Sequence, residues 1–127
     1  MTHYSHSRPK ARKPHVCVMC GRTITPGENY LRTAGMDGSS AWTWLECAHC
    51  EVFVSYAYSA SWPDDGYGPD LLSEFAPACV AQARVLAQYR RRWRRLNGDL
   101  YPLPVALHRE DKYGFRHVVD IAPGAAA

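Results

Sequence analysis

Four of the five cysteines in this chain of 127 residues form two pairs with the same spacing. Two residues separate Cys17 from Cys20, two separate Cys47 from Cys50, and 26 residues lie between the pairs. A Cys-x-x-Cys turn lets two sulfur atoms sit about 2.3 Å from one ion, and two such turns complete the tetrahedral shell that Zn²⁺ favours. The spacing therefore predicts one structural Zn²⁺ bound by all four cysteines. A complete shell leaves no open position for catalysis.

Other uses of four cysteines are redox dithiols, two disulfides or an iron–sulfur cluster. The N-terminal residues are polar and basic and lack the apolar region of a secretory signal, so we expect a cytoplasmic protein. A reducing cytoplasm disfavours disulfides, and nothing else in the sequence suggests electron transfer. Cys79 is left over, and we expect it to be a small buried hydrophobic residue within a helix.

A β-hairpin and a helix are expected to position the ligands. Strands are predicted at residues 30–34 and 42–46, joined through residues 35–40. After Cys47 the apolar residues recur at helical spacing, and the helix should end before Pro63. The residues that carry this periodicity are Cys50, Phe53, Val54 and Ala57.

A knuckle, a hairpin and a helix whose first turn supplies the last two ligands resemble a treble-clef zinc finger, over about residues 16–60. The run after the knuckle is also similar to small zinc-finger proteins of bacteria and actinobacterial phages; it reads Cys17-Val-Met-Cys20-Gly21-Arg22-Thr-Ile24-Thr-Pro26-Gly27-Glu28-Asn-Tyr30. The resemblance implies DNA binding, RNA binding, protein docking or nuclease chemistry. The nuclease version needs a histidine at the end of the hairpin, where this chain has Leu45 and Glu46, so we expect no enzyme.

The length and the composition, 46% hydrophobic and 21% charged, indicate a single α+β domain, and no apolar stretch is long enough to cross a bilayer. Residues 1–15 are basic and poor in apolar side chains and predict a disordered arm. Residues 16–121 are predicted to form the zinc-binding domain, and residues 122–127 a flexible tail. Beyond the treble-clef region, the predicted elements are a basic helix at about 77–97 and a second hairpin at 104–121.

The net charge of +3 is unevenly distributed, because residues 80–97 carry six arginines and no acidic residue. In the predicted helix, an apolar seam of Gln82, Leu86, Tyr89, Trp93 and Leu96 lies opposite Arg84, Arg91 and Arg95, with Arg92 and Arg94 on the flanks. Arginines on one face of a helix could contact several phosphates of a nucleic-acid backbone. The alternative is internal pairing with Glu51, Asp64, Asp65, Asp70 and Glu74. Basic residues of the arm favour nucleic acid, DNA or RNA, as the partner: Arg8, Lys10, Arg12 and Lys13.

A rival prediction is a protein-interaction module, for example one that docks on a host or cellular protein. Trp62 and Tyr67 lie in an acidic, glycine-containing loop, where exposed aromatic side chains suit protein recognition. Trp42 and Trp44 alternate along one strand face and could stack on bases, although core packing is the commoner role. His49 lies between two ligands and is expected to be a bystander. We favour a structural-zinc accessory or regulatory protein that binds nucleic acid.

Overall fold

The computed structural model describes residues 2–61 and 67–125 of the chain. The backbone contacts divide the chain into two compact units, Met1–Ala48 and His49–Ala127. Over the described residues the secondary structure is mixed, with three antiparallel sheets and three helices. Of those helices, none has the length and apolar character that a membrane crossing requires.

The first unit is built on a three-stranded antiparallel sheet with the order β1-β4-β5, formed by Thr2–Ser7 (β1), Tyr30–Asp37 (β4) and Ser40–Cys47 (β5). Two short strands, His15–Val16 (β2) and Thr23–Ile24 (β3), pair separately. The predicted β4–β5 hairpin is confirmed, but both strands are longer than expected and only residues 38–39 form the turn.

The N-terminal segment differs from the disordered arm that the sequence predicts. Strand β1 pairs with β4 along its whole length, from Thr2 opposite Asp37 to Ser7 opposite Arg32. The ring of Tyr4 packs edge-on against Trp42 with 5.5 Å between centroids. Backbone hydrogen bonds to β4 order this segment. The prediction of disorder rests on its low apolar content, which gives no information about such pairing.

On one face of this sheet, the side chain of Trp42 packs over Gly35. Leu31, Thr33 and Gly35 alternate along β4 and are buried, and Trp42 pairs with Gly35 across the ladder. A Cβ at Gly35 would overlap the six-membered ring of Trp42, so the indole needs a glycine beneath it. Trp42 and Trp44 therefore lie half-buried on the face of the sheet that carries Gly35 and Thr33.

The second unit contains helices Ala48–Ser61 (α1, which begins at the last residue of the first unit), Asp70–Ser73 (α2) and Val80–Arg90 (α3), and a hairpin of Val105–Glu110 (β6) and Arg116–Ala122 (β7). The first helix and the C-terminal hairpin confirm the prediction, although Ala122 belongs to β7 and not to a flexible tail. The core of the unit consists of fully buried side chains from each helix and from β7: Phe53, Ala57, Leu72, Val85, Trp93 and Ile121.

The basic helix is shorter than predicted, since it ends at Arg90 and not near residue 97. Arg92 and Trp93 have φ angles of 54° and 60°, in the left-handed region that bulky residues rarely adopt. Gln82, Leu86, Tyr89 and Trp93 of the predicted seam are buried, but Leu96 is fully exposed. The arginines after residue 90 therefore lie on residues 91–101, here named the arginine loop, and share no helix face with Arg84.

Cys79 also differs from the prediction. Its side chain is exposed, and the residue has extended backbone angles at the N-terminal boundary of α3. The late start of α3 explains the change, because Cys79 precedes Val80, the first residue of the helix.

Candidate metal centre

The first two cysteines lie on a tight turn that depends on a glycine. The Gly21 amide donates to the Cys17 carbonyl at 2.9 Å, and Gly21 has a φ of 79°. Glycine adopts this left-handed conformation without the clash that a Cβ causes. The Val18 amide also donates to the Leu45 carbonyl at 2.9 Å, which attaches the turn to β5. This turn therefore places Cys17 and Cys20 beside β5, the strand that leads to the second pair of cysteines.

The second pair lies where β5 passes into α1. Cys47 is the last residue of the strand, and Cys50 is in the first turn of the helix, which begins at Ala48. The first turn of a helix has free backbone N–H groups and a partial positive charge, and both stabilise thiolates.

The four cysteines are positioned to bind one metal ion. Their sulfur atoms all lie within 4.8 Å of one another, and the Sγ atoms of Cys20 and Cys47 are 3.9 Å apart. A tetrahedron with metal–sulfur distances of about 2.3 Å has edges of about 3.8 Å. These separations fit metal coordination, whereas a disulfide needs about 2.05 Å between sulfurs. Cys17, Cys47 and Cys50 are fully buried, which suits a closed site.

N–H groups of the backbone and of side chains donate to the sulfurs. The backbone amide of Cys47 donates to Cys17 Sγ at 3.3 Å. The indole Nε1 of Trp93, on the arginine loop, donates to Cys50 Sγ at 3.2 Å. Donors of this kind stabilise negative charge on sulfur and orient the ligand.

A buried ion pair adjoins the centre. Arg22 is 2% exposed and donates to the two Glu28 carboxylate oxygens at 2.8 and 3.2 Å. Burial alone would lower the pKa of Arg22, but the hydrogen bond that Arg22 donates to Glu28 and the nearby Cys47 sulfur outweigh it and raise that pKa above its ordinary value. Burial would likewise raise the pKa of Glu28, but hydrogen bonds from Arg22 and Thr25 lower it to about 2. A guanidinium thus lies beside a ligand sulfur, where it offsets thiolate charge.

We expect Glu28→Gln to lower the free energy of unfolding at pH 7 by about 1–3 kcal/mol, because a buried guanidinium loses its carboxylate. A carboxyl with a lowered pKa stabilises the fold fully above its ordinary pKa of 4.5, and this contribution is lost as the pH falls toward about 2. The difference between wild type and variant should therefore be constant from pH 7 to about 5 and shrink below it. Denaturant unfolding across this range measures it.

Glu74→Gln is the matched control, because Glu74 is exposed and such a change should alter stability by less than about 0.5 kcal/mol. Equal effects of the two substitutions at pH 7 would show that the Arg22–Glu28 pair contributes nothing specific.

His49 is not the bystander that the sequence suggests. It is 5% exposed, and its ring packs against Trp93 with 5.4 Å between centroids. Its Nε2 lies 2.7 Å from the carbonyl oxygen of Tyr101 and donates to it, because a carbonyl can only accept. Both contacts join the first turn of α1 to the arginine loop. No motif marks His49, Trp93 or the Arg22–Glu28 pair, although His49 and Arg22 lie within two residues of a ligand and Trp93 lies in the predicted seam.

The arginines that the sequence singles out lie in exposed positions. Arg84 is on α3, and Arg91, Arg92 and Arg95 are on the arginine loop, with Arg94 half-buried. Arg91 donates to the Tyr101 hydroxyl at 3.1 Å, and the Arg95 guanidinium lies 5.2 Å from the centre of the same ring. Within the described part of the chain, Arg84, Arg91, Arg92 and Arg95 form no ion pair with a carboxylate.

The remaining predicted residues divide between two regions. Arg8, Arg12 and Lys13 are exposed in the first unit. Tyr67 is half-buried with its ring edge-on to Tyr58, 5.8 Å between centroids, and Trp62 lies outside the described residues. Docking of a protein through Trp62 and Tyr67 stays a prediction.

The chemistry of the centre follows from its donor set. Four sulfur ligands at tetrahedral separations favour a soft or borderline metal ion over Mg²⁺ or Ca²⁺, which take oxygen ligands. Comparison of this chain with protein-family models, with curated proteins and with solved structures finds no match.

Proposed function

We propose that this protein is a structural-zinc protein of the treble-clef type that binds the phosphate backbone of nucleic acid. The order of elements supports the treble clef: a Cys-x-x-Cys turn, the β4–β5 hairpin, and a helix with a ligand in its first turn. The likeness to small bacterial and phage zinc-finger proteins rests on the residues from Cys17 to Tyr30 alone.

Zinc suits the centre because it accepts four thiolates in a tetrahedron without redox chemistry. Bound there, the ion would crosslink the Cys17–Cys20 turn to the start of α1 and so stabilise the fold. Four protein ligands leave no position for substrate or water, so we assign a structural and not a catalytic role. Four thiolates and one Zn²⁺ carry a charge of −2, and the buried Arg22 beside Cys47 supports that charge.

One observation carries the proposed nucleic-acid binding. The exposed guanidiniums of Arg91, Arg92 and Arg95 have no carboxylate partner among the described residues. Internal pairing, the alternative for a run of arginines, would among the described residues place Glu51, Asp70 or Glu74 against them; Asp64 and Asp65 lie outside the described residues. Guanidiniums that face water are available to replace the counterions of a phosphate backbone.

Tyr101 gives this surface a defined shape. Arg91 and Arg95 both contact its side chain, one at the hydroxyl and one over the ring. Two guanidiniums held on one aromatic ring lose less conformational entropy on binding than two freely moving side chains. The partner class that fits is a polyanion with closely spaced phosphates, DNA or RNA.

The test is binding of the zinc-loaded protein to fluorescent single- and double-stranded DNA and RNA, measured by anisotropy at several salt concentrations. We expect affinity to fall steeply with salt, and the double variant Arg91→Gln/Arg95→Gln to bind roughly tenfold more weakly at 100 mM salt. The slope of the logarithm of its binding constant against the logarithm of the salt concentration should be less steep by about 1.5, since two phosphate contacts are lost.

Arg109→Gln is the matched control, because Arg109 is exposed on β6 and away from the arginine loop in sequence. The control should bind like wild type. The proposal is wrong if the wild-type protein shows no salt-sensitive binding at low salt, or if the control loses as much affinity as the double variant.

A further inference from the structure

The arginine loop is tied to the helical turn that carries a metal ligand. Two side-chain hydrogen bonds make this connection: Trp93 Nε1 to Cys50 Sγ at 3.2 Å, and His49 Nε2 to the Tyr101 carbonyl at 2.7 Å. Trp93 lies near the start of the loop and Tyr101 at its end. The first turn of α1 therefore fixes both ends of the loop.

The loop has a conformation that its own sequence does not favour. Arg92 and Trp93 have left-handed φ angles, which cost energy for residues with large side chains. Such a conformation persists only where surrounding contacts hold it. Trp93 is 0% exposed and packs near Phe53, Tyr89 and His49.

The backbone of the loop is closed by two hydrogen bonds, one of which joins Trp93 to Tyr101. The Tyr101 amide donates to the Trp93 carbonyl and the Arg95 amide to the Asp99 carbonyl, each at 2.8 Å. A change in the position of Trp93 would therefore move Tyr101, the residue on which Arg91 and Arg95 rest.

The acceptor for the buried indole N–H is a ligand sulfur. A metal-bound thiolate accepts a hydrogen bond more strongly than a neutral thiol, because the acceptor is charged. Without that acceptor the indole N–H would be buried and unpaired, which is costly. The metal thus supports the position of Trp93 through Cys50.

From these contacts we propose that Trp93 and His49 are positioning residues that couple the metal centre to the arginine loop, so that phosphate binding requires an occupied centre. The consequence for phosphate binding rests on the proposed function. The coupling between the metal centre and the conformation of the loop does not.

Amide hydrogen exchange of the zinc-loaded full chain tests the coupling. In Trp93→Phe, which keeps an aromatic ring but removes the N–H, the Arg95 and Tyr101 amides should exchange about tenfold faster, the effect of losing one hydrogen bond. Zinc content should stay at one ion per chain. Trp44→Phe is the matched control, because it removes an indole N–H that donates to the Glu46 carboxylate. Unchanged exchange in Trp93→Phe overturns the proposal.

A second pair of variants decides the question if Trp93→Phe does not fold. The amide of a glutamine can donate to the Tyr101 carbonyl as His49 does, whereas alanine cannot. We expect His49→Ala to accelerate exchange of the same two amides and His49→Gln to keep most of their protection. Equal acceleration in both variants, or none in either, contradicts a positioning role for His49.

Binding measurements separate this inference from the proposed function. If wild type binds nucleic acid, Trp93→Phe should bind at least about threefold more weakly at unchanged zinc content, because the loop is less often in the competent conformation. Wild-type affinity in Trp93→Phe would overturn the link to phosphate binding. If wild type binds no nucleic acid, the proposed function fails, while hydrogen exchange still tests the coupling.

Discussion

Replacing Cys47 with serine is expected to abolish the cooperative unfolding transition at 25 °C. A structural Zn²⁺ with thiolate ligands contributes about 10 kcal/mol or more of binding free energy at pH 7, and that energy is folding energy. A domain of this size has about 5–15 kcal/mol in total. Cys47 is fully buried, and the Cys17–Cys20 turn is held against it. Loss of the ligand removes the metal and leaves Arg22 buried beside a hydroxyl.

Circular dichroism, denaturant unfolding and metal analysis by mass spectrometry would measure the effect. A strong chelator added to wild type should reproduce it, and added Zn²⁺ should restore the transition. Cys79→Ser is the matched control, since Cys79 is exposed and free, and should change stability by less than about 0.5 kcal/mol. A Cys47→Ser protein that keeps one metal ion and an unchanged transition would show that Cys47 is not a required ligand, and an unchanged transition in chelated wild type would exclude a structural metal centre.

The ligands of this centre could be predicted from spacing because the chemistry is local to each pair. Two residues between cysteines set the reach of each turn, and a helix start at the second pair follows from the apolar periodicity. The β4–β5 hairpin, α1 and the C-terminal hairpin follow from alternation and turn residues in the same way. These elements depend on interactions close in sequence, which a single chain displays.

What could not be predicted depends on distant partners. Strand β1 forms because β4 offers backbone hydrogen bonds about 30 residues away, and nothing in a polar segment such as residues 2–7 indicates that pairing. The apolar periodicity correctly predicts that Trp93 is buried. It wrongly extends the helix to Leu96, because the spacing of apolar residues contains no information about backbone φ angles. The left-handed residues end the helix, and the contacts of Trp93 with Cys50 and Phe53 hold them.

The surroundings of the metal ligands also depend on tertiary contacts. Arg22 and Glu28 lie on either side of a short strand and a Pro-Gly turn, and only the fold brings the guanidinium onto the carboxylate. His49 has no sequence signal, since its partner is a backbone carbonyl 52 residues away. The ligands of a centre are therefore more predictable than the groups that tune it.

Phe53→Ala should have the second largest effect, a loss of about 3–5 kcal/mol in the free energy of unfolding. Phe53 is 0% exposed and one turn after Cys50 on α1. Its ring makes edge contacts with Phe75, Tyr89 and Trp93 at centroid distances of 5.1, 5.8 and 6.1 Å. Truncation removes this buried surface and leaves a cavity that a packed core fills only in part.

Denaturant unfolding of the zinc-loaded protein measures this loss, with Phe115→Ala as the control, because Phe115 is exposed at the β6–β7 turn. The loss in the free energy of unfolding for Phe53→Leu should lie between those of Phe53→Ala and Phe115→Ala, at about 1–1.5 kcal/mol, since leucine keeps most of the side-chain volume. Equal losses at Phe53 and Phe115 would show that the aromatic cluster is not the core of the second unit. The cavity also lies against Trp93, so Phe53→Ala should accelerate amide exchange of the arginine loop, whereas Cys79→Ser and Phe115→Ala should not. The proposed coupling of the metal centre to the arginine loop therefore needs this packing as well as the sulfur ligands.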